Sequence, residues 1–272
     1  MPELPEVEIT RQGLLPLVNQ TVKSVVIRNS SLRWPIPEHL PATLRHQQLL
    51  GLQRRAKYLL AQFENGTLLI HLGMSGHISL LDRNYPPEKH DHFDIQFHTS
   101  CVLRLNDPRR FGAVLWAGLN PEQHLLLTKL GPEPLEADFN ASYLHAHMQS
   151  RKAPIKNTIM DAHLVVGVGN IYANESLFRA RINPQTTANQ LSLAHCEKLV
   201  YEIKATLADA LKAGGSSLRD FAAVNGQSGY FQQSYFVYAR ANQPCKICGA
   251  MIQNIRLGQR STFFCQHCQP RF

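Results

Sequence analysis

The sequence predicts an α+β protein in which a β-rich amino-terminal part precedes a helical region and a small cysteine-bearing tail. Three observations predict this class. Short alternating apolar segments separated by turns fill residues 22–105, helical periodicity follows to about residue 224, and two Cys-x-x-Cys pairs lie near the end. With 272 residues, the chain is long enough for two domains of ordinary size.

The amino terminus predicts a helix and a possible nucleophile. Residues 2–8 read PELPEVE, with prolines and acids suited to a first helical turn, and we expect this helix to end near residues 15–16. A chain that begins Met-Pro normally loses its methionine, and the secondary amine of Pro2 would then form a cationic imine after attacking carbon. Glu3 and Glu6 stand beside it as a carboxylate pair. Taken alone, these residues are explained more simply by a helix start.

The β-rich part is predicted from five runs of alternating or β-branched residues, which lie at 22–27, 58–63, 67–72, 93–97 and 102–105. This spacing is typical of an antiparallel sandwich or a flattened barrel. A linker with prolines and acids begins near residue 131. The region after it reads as helices, the longest over residues 191–212.

The net charge indicates which molecules the chain binds, and the cysteines indicate whether it binds a metal. The 28 Lys+Arg against 20 Asp+Glu give a net charge of +8 and a pI near 9.3, which favours nucleic acid first and an anionic membrane surface second. The sequence shows neither a membrane-spanning apolar run nor a signal-peptide layout, so we expect a soluble cytosolic protein. In that reducing compartment, clustered cysteines favour metal ligation, and the lone Cys101 and Cys196 are expected in the core.

The clustered cysteines predict one structural zinc ion. Cys245-x2-Cys248 and Cys265-x2-Cys268 are separated by sixteen residues, a spacing typical of a four-thiolate tetrahedral site on two hairpin knuckles. So short a tail cannot bury enough apolar surface to fold alone, and zinc binding would therefore be coupled to its folding. Arg260 in this tail would suit contact with a nucleic-acid groove.

Two glycine-flanked turns in the β-rich part carry residues suited to contact with bases. The run HLGMSG at 71–76 would expose Met74, and NDPRRFG at 106–112 places Arg109 and Phe111 on one loop, where a side chain could wedge between base steps. Core packing is the simpler explanation for Met74 and Phe111 taken singly. A basic run at 53–57 ends in Lys57, which would contact phosphate or donate a proton if it is not merely a solvated charge.

The helical region holds a candidate phosphate site. Residues 167–170 read GVGN, and the turn would let backbone N–H groups and Asn170 bind a phosphate, with Arg151 and Lys156 supplying charge. The run is neither a P-loop nor a full dinucleotide fingerprint.

The pair His90 and His92 is a weaker metal candidate. No third ligand with matching spacing is evident, so phosphate contact or a hydrogen-bonded structural role is favoured for these histidines.

Six motifs in this order resemble those of bacterial formamidopyrimidine-DNA glycosylases. They are PELPEVE at 2–8, RAKY at 55–58, the turn at Met74, DPRRFG at 107–112, GNIY at 169–172, and the four-cysteine tail with its Gln-Arg pair at 259–260. The resemblance spans almost the whole chain. It implies a base-excision-repair enzyme, a bifunctional glycosylase and AP lyase that removes 8-oxoguanine and formamidopyrimidines from double-stranded DNA. The bacterial cytoplasm, with nucleoid association during repair, is the expected location, and a monomer is the default.

The resemblance also implies a domain plan. An N-terminal antiparallel β-sandwich with flanking helices would cover residues 1–130 and hold the catalytic groups. A linker over 131–141 would lead to a helical DNA-binding domain over 142–234, which contains a helix–two-turn–helix. A zinc-finger hairpin would occupy residues 235–272.

The resemblance implies a role for each matching residue. Pro2 would attack C1′ of an extruded nucleoside and become the Schiff base, Glu3 would handle protons, and Glu6 would support the terminus. Lys57 would assist β-elimination, and Arg260 would assist δ-elimination or contact the lesion's phosphate. The remaining roles are contacts with DNA. Met74, Arg109 and Phe111 would fill the void left by the extruded base, with Arg109 facing the orphaned cytosine. Lys156 and Asn170 would bind phosphate, and His90 and Arg151 would make further contacts.

Other interpretations stay open at this point. Leu4 separates the chain from the sister group resembling endonuclease VIII, which prefers oxidised pyrimidines and typically has glycine there. Residues 225–240 resemble the loop that closes over the flipped base, but Gln227-Ser228 and Ala239 depart from its common pattern and put fine substrate preference in doubt. A non-enzymatic zinc-ribbon DNA-binding protein and a metal-dependent nuclease using Asp91, Asp94 and the histidines are the other two classes.

Overall fold

The computed structural model describes residues 2–216, 224 and 229–271, which fall into two compact units. The first comprises Met1–Lys129 and Ala213–Tyr230, and the second comprises Leu130–Lys212 and Phe231–Phe272. The departures at Gln227-Ser228 lie outside the described residues. The predicted domain boundaries stay a prediction.

The first unit is built on two four-stranded antiparallel sheets. One has the strand order β1-β6-β7-β5 and the other β2-β3-β4-β8. The strands are Val22–Ile27 (β1), Leu49–Arg55 (β2), Tyr58–Phe63 (β3), Gly66–His71 (β4), His77–Asp82 (β5), Asp91–Phe97 (β6), Cys101–Asn106 (β7) and Ala113–Gly118 (β8). The predicted α+β class with an antiparallel β-sandwich is therefore confirmed.

One apolar core takes side chains from both sheets and from the two flanking helices. Phe93 and Leu105 come from the first sheet, and Leu68 and Val114 from the second, all essentially inaccessible to solvent. Helices α1 (Leu4–Gly13) and α2 (Leu40–Leu44) add further buried side chains to this core. Burial of each such side chain contributes roughly 1.5–3 kcal/mol, so the core rather than any single polar contact stabilises the unit.

Three strands, β2, β5 and β8, were missed by the sequence pattern. In β2 the glycine at position 51 and the basic residues at its end hide the alternation, since a basic run resembles a solvated loop. Residues 53–55 of that run end β2, and the rest of the run leads into the predicted strand over 58–63, which is β3. The chain then turns at Ala56 and Lys57 and enters β3, with Ala56 at φ +55°.

The second unit is helical, with a two-stranded hairpin near its end. Its helices are Ala141–Met148 (α3), Ile155–Ile159 (α4), Asn170–Arg179 (α5) and Leu193–Lys212 (α6), and its strands are Gln253–Leu257 (β9) and Arg260–Phe264 (β10). Helix α6 packs on α3 and α5. It confirms the long helix predicted over residues 191–212, except that it begins at Leu193. Among the residues that the structure describes, every helix is too short or too polar to cross a bilayer.

The two lone cysteines have different environments. Cys196 is buried in α6, as predicted, whereas Cys101 is exposed and the prediction of a core position for it is wrong. Cys101 is the first residue of β7 and pairs with Asp82 at the end of the sheet, where the core no longer covers the strand.

Candidate active site and nucleic-acid interface

The amino-terminal proline is buried at the start of α1, where its main chain is held by Glu6. Glu3 and Glu6 occupy the N-cap and N3 positions of a capping box. Oε2 of Glu6 accepts the backbone N–H of Glu3 at 2.8 Å, and Oε1 accepts the N–H of Ser216 at 2.8 Å. Because the Glu3 N–H belongs to the peptide bond after Pro2, the Glu6 carboxylate orients the residue expected to be the nucleophile.

Arg54 connects α1 with the turn that carries Lys57. Its Nε donates to Oε2 of Glu8 at 3.2 Å, and its Nη1 donates to the Ala56 carbonyl at 3.0 Å. Burial raises the pKa of Glu8, but hydrogen bonds from Arg11 and Gln12 and the charges of Arg11 and Arg54 hold it below the ordinary value. Glu8 is therefore an anionic anchor for the helix that begins at Pro2.

Lys57 lies half-buried near the ring of His71. Tyr58, the next residue, pairs with His71 across β3 and β4, and the two rings are 4.8 Å apart between centroids. Burial, followed by the positive charges of Lys57 and Arg33, lowers the pKa of His71 to about 4. Its Nδ1 accepts the Gly73 N–H at 3.0 Å, so at neutral pH the imidazole is uncharged and its proton lies on Nε2.

The structure brings the predicted turn and loop of the first unit together. The turn holding Met74 faces the loop holding Arg109 and Phe111, and the Phe111 side chain is 44% exposed despite its apolar ring. The Arg109 guanidinium carbon lies 4.8 Å from the centre of that ring. His90 joins them because its carbonyl accepts the Asp107 N–H at 3.0 Å. Four residues predicted to contact DNA therefore share one surface region.

The carboxylates proposed for a metal-dependent nuclease are engaged elsewhere. Asp94 is fully buried and accepts both Nε and Nη2 of Arg104, at 3.0 and 2.9 Å. Asp91 accepts Nδ2 of Asn106 at 2.8 Å and the Glu88 N–H at 2.7 Å. Within the described residues, the only group of three or more potential metal ligands is the cysteine cluster, and Asp91, Asp94 and the histidines do not belong to it.

The four cysteines of the second unit fit a tetrahedral zinc ion. The Sγ atoms of Cys245, Cys248, Cys265 and Cys268 all lie within 4.8 Å of one another, with 3.9 Å between Cys245 and Cys268 and 3.5 Å between Cys248 and Cys265. Zinc–sulfur bonds of about 2.3 Å in a tetrahedron require sulfur separations of about 3.8 Å. The predicted structural zinc is therefore confirmed.

The zinc-bearing segment presents Arg260 at the start of a short hairpin strand. Leu257 pairs with Arg260, and the two residues between them, Gly258 and Gln259, have φ values of +52° and +66°. Two positive φ values are typical of a type I′ turn, which matches the twist of the strands. Arg260 begins β10 directly after this turn and is exposed.

Lys156 does not present its ammonium group to solvent. The residue is fully buried, and its Nζ donates to Oδ1 of Asn170 at 2.6 Å, to the Ser261 carbonyl at 3.1 Å and to Oγ1 of Thr262 at 2.8 Å. Asn170, the first residue of α5, also donates from Nδ2 to the Ser261 carbonyl at 3.1 Å. Both predicted phosphate ligands thus connect helices to the hairpin strand β10, Lys156 from α4 and Asn170 from the start of α5.

Arg151 is paired with an acid in the same unit. Its Nη1 lies 2.8 Å from Oδ2 of Asp161, and both side chains keep about a third of their surface exposed. This exposure leaves part of the guanidinium accessible for contact with a polyanion.

Residue type and spacing assigned no role to Arg54, His71, Ser75 or Asp107, although the side chain of each makes a hydrogen bond in the structure. Each stands inside or next to a motif, yet residue type and spacing do not reveal a hydrogen bond to a distant segment. His71 and Ser75 flank the Met74 turn, and Asp107 opens the DPRRFG run, so their place beside candidate residues was the only available signal.

Comparison with known proteins covers nearly the whole chain. The profile described as "Formamidopyrimidine-DNA glycosylase N-terminal domain" matches residues 1–114, and "Formamidopyrimidine-DNA glycosylase H2TH domain" matches residues 130–222. The profile "Zinc finger found in FPG and IleRS" matches residues 242–271.

Individual relatives agree with these profiles. A formamidopyrimidine-DNA glycosylase from Methylobacillus flagellatus is 60% identical over 99% of this chain and 96% of its own. Two Lactococcus lactis FPG structures were also found, a G226P mutant bound to Fapy-dG DNA and a complex with abasic-site DNA. The first has a TM-score of 0.93 and 33% identity, covering 99% of this chain and 100% of its own. The second has a TM-score of 0.92 and 33% identity, and the match covers 98% of this chain and 99% of its own.

Proposed function

The chain belongs to the formamidopyrimidine-DNA glycosylase family, and from that premise we propose that its Pro2 amine carries the chemistry of a repair glycosylase and AP lyase. The enzyme removes oxidised purines, formamidopyrimidines and 8-oxoguanine, from double-stranded DNA and then cleaves the strand at the resulting site. The observation that carries the assignment of Pro2 is its buried position at the head of α1, with the following peptide bond held by Glu6.

The proposed reaction needs only the chain's own groups and an extruded nucleotide. After removal of Met1, the Pro2 nitrogen forms a bond to C1′ and the damaged base leaves with a proton supplied through Glu3. The C1′–O4′ bond then breaks, O4′ takes up the proton lost by the Pro2 nitrogen, and the opened sugar carries an iminium ion between Pro2 and C1′. This cation acidifies the C2′–H bond, so loss of that proton expels the 3′ phosphate, and a second elimination expels the 5′ phosphate.

Lys57 and Arg260 are the proposed assistants of the two eliminations. Lys57 lies beside His71, whose imidazole is uncharged at neutral pH, so the positive charge that would attract a phosphate there belongs to Lys57 and not to the histidine. Arg260 is exposed at the start of β10 and is available to a phosphate.

Zinc supplies structure rather than chemistry to this reaction. Four thiolates complete a tetrahedron, and a closed structural site leaves no position for water or substrate. Cys245, Cys248, Cys265 and Cys268 would hold the ion, and the hairpin they support carries Arg260.

We propose a modified role for Lys156. Its ammonium group lies among Asn170, Ser261 and Thr262, so it supports DNA binding by positioning Asn170 and the hairpin rather than by direct contact with phosphate. Asn170, His90, Arg151 and the three void-filling candidates remain proposed direct contacts.

The other interpretations of the sequence are less well supported. Family membership and the 60% identical glycosylase argue against a non-enzymatic zinc-ribbon protein. Leu4 and the three formamidopyrimidine-DNA glycosylase relatives and structures described above argue against a preference like that of endonuclease VIII.

Covalent trapping tests the assignment of Pro2. Borohydride reduces an iminium to a stable amine, so reduction during reaction with an oligonucleotide containing 8-oxoguanine opposite cytosine should cross-link the chain to DNA. Peptide mass mapping should place the adduct on Pro2. An adduct on a lysine, or no adduct at all, would count against the proposal.

A matched variant separates chemistry from binding. Pro2→Gly is expected to lose strand cleavage while its affinity for lesion-containing DNA, measured by fluorescence anisotropy, stays within about twofold, because the DNA-contacting loops are untouched. Cleavage by Pro2→Gly at the unmodified rate would exclude Pro2 as the nucleophile.

A further inference from the structure

A buried serine joins the turn and the loop that hold the void-filling candidates. Ser75 directly follows Met74 and is only 3% exposed. Its hydroxyl donates to Oδ1 of Asp107 at 2.7 Å and accepts the backbone N–H of Arg109 at 3.1 Å. One side chain of the Met74 turn therefore bonds to two positions of the loop that carries Arg109 and Phe111.

Asp107 extends this connection through the loop. Its carboxylate is fully buried, and the second oxygen, Oδ2, accepts the Gly112 N–H at 2.7 Å. The two ends of the 107–112 segment are thereby held together, with Arg109 and Phe111 on the segment between them. A buried carboxylate requires such donors, since desolvation without hydrogen bonds is costly, so loss of Ser75 would disturb the loop as well as the turn.

The same two segments also pack main chain against main chain. A Cβ on Gly73 would lie 2.4 Å from the carbonyl carbon of Phe111, and Gly73 itself has φ +64°. A Cβ on Gly112 would lie 2.8 Å from the carbonyl oxygen of His71. Contact this close leaves no room for a side chain and hinders movement of one segment without the other.

We propose that Ser75 is a positioning residue for base extrusion, locking Met74, Arg109 and Phe111 into one wedge that enters the duplex as a unit. This inference rests on the proposed function. Three side chains from two separate loops must arrive together to fill the space left by an extruded nucleotide. Ordering each loop only on binding would cost conformational entropy, which a preformed wedge avoids.

Ser75→Ala tests the wedge through two substrates that differ in their need for it. The first is a duplex with 8-oxoguanine opposite cytosine, and the second is a single strand with a preformed abasic site, where no base need be extruded. We expect the ratio of the single-turnover rate on the duplex to that on the single strand to fall about tenfold, the effect of one lost hydrogen bond to a charged group.

A second readout reports on Arg109 itself. Its backbone N–H loses its acceptor in Ser75→Ala, so the preference for cytosine over adenine opposite the lesion should fall by a similar factor. Ser79→Ala, a change to a half-buried serine of β5, is the control and should keep both wild-type values. If Ser75→Ala does not fold, Asp107→Asn is the second variant. Asparagine keeps the shape of aspartate but has one side-chain oxygen, so it can accept only one of the two donors, the Ser75 hydroxyl or the Gly112 N–H. Both the rate ratio and the preference for cytosine should then fall.

The results distinguish failure of the role proposed for Ser75 from failure of the proposed glycosylase and lyase function. If the wild-type chain forms no borohydride adduct at Pro2, the proposed function fails first. If the wild type traps normally and Ser75→Ala keeps both ratios, the wedge is disproved while the function stands. Equal losses on duplex and single-stranded substrates would also disprove it, because they would place the effect of Ser75 on the chemical step.

Discussion

At the scale of single residues, hydrogen-bonded neighbours decide what each candidate side chain can do. Glu6 uses both carboxylate oxygens on backbone N–H groups, of Glu3 and of Ser216, which suits it to hold the terminus rather than to transfer protons. The Glu3 side chain accepts one backbone N–H, that of Glu6, and is the carboxylate proposed for proton transfer. Two acids of one short motif are thus given different tasks by the packing around them.

His71 predicts a pH dependence of stability. Its pKa is about 4 in the folded chain against an ordinary 6.5, so as the pH falls below 6.5 the unfolded chain takes up the proton first. Protonation of His71 therefore leaves the free energy of unfolding unchanged above pH 6.5. It lowers this free energy between pH 6.5 and pH 4, by about 1 kcal/mol per pH unit. His71→Asn keeps an acceptor near Gly73 without a titrating ring, and urea unfolding between pH 7 and pH 4 should show a shallower loss for it. An identical slope in both proteins would contradict this account.

At the scale of structural elements, the carboxyl-terminal hairpin depends on its metal and on its contact with the helices. Removal of zinc is predicted to unfold this segment, because ligation and folding are one event in so small a core. Cys248→Ser should bind less than one equivalent of zinc per chain and bind DNA more weakly. Cys101→Ser, which changes an exposed cysteine outside the cluster, serves as the control. Full DNA affinity in metal-free Cys248→Ser would show that the hairpin contributes nothing to binding.

The hydrogen bonds of Lys156 to Ser261 and Thr262 predict that its substitution also destabilises this hairpin. Lys156→Ala removes three donors and a fully buried side chain, so Thr262 and the Ser261 carbonyl lose a partner and β10 is held less tightly. Zinc release to a chromogenic chelator should become at least about tenfold faster, as expected for a loss of 1.4 kcal/mol or more. The exposed Lys152→Ala should release zinc at the wild-type rate. Equal rates of zinc release from the wild type, Lys156→Ala and Lys152→Ala would show that Lys156 does not position the hairpin.

At the scale of the whole molecule, a net charge of +8 favours binding to a polyanion. Each phosphate neutralised releases counterions, so the logarithm of the affinity should fall linearly with the logarithm of salt concentration, with a slope of about −0.9 per phosphate contact. Anisotropy titrations of undamaged duplex from 50 to 200 mM salt measure that slope. A flat profile would remove the electrostatic explanation of binding.

The sequence by itself determined the parts of this protein whose chemistry lies in neighbouring residues. Ligand spacing identified the zinc site, periodicity identified the long helix over 191–212, and six short motifs identified the family. These features are local, since a knuckle, a helical turn or a tight turn is specified within a few residues.

Only the tertiary structure decided which groups meet across long separations. Ser75 reaches Asp107 over 32 positions, and Lys156 reaches Thr262 over 106. No spacing rule links such residues, because the contact arises from how sheets and helices pack around their apolar cores. The burial of Lys156, the neutral state of His71 and the joining of the Met74 turn to the Arg109 loop all depend on that packing and are invisible in the order of residues.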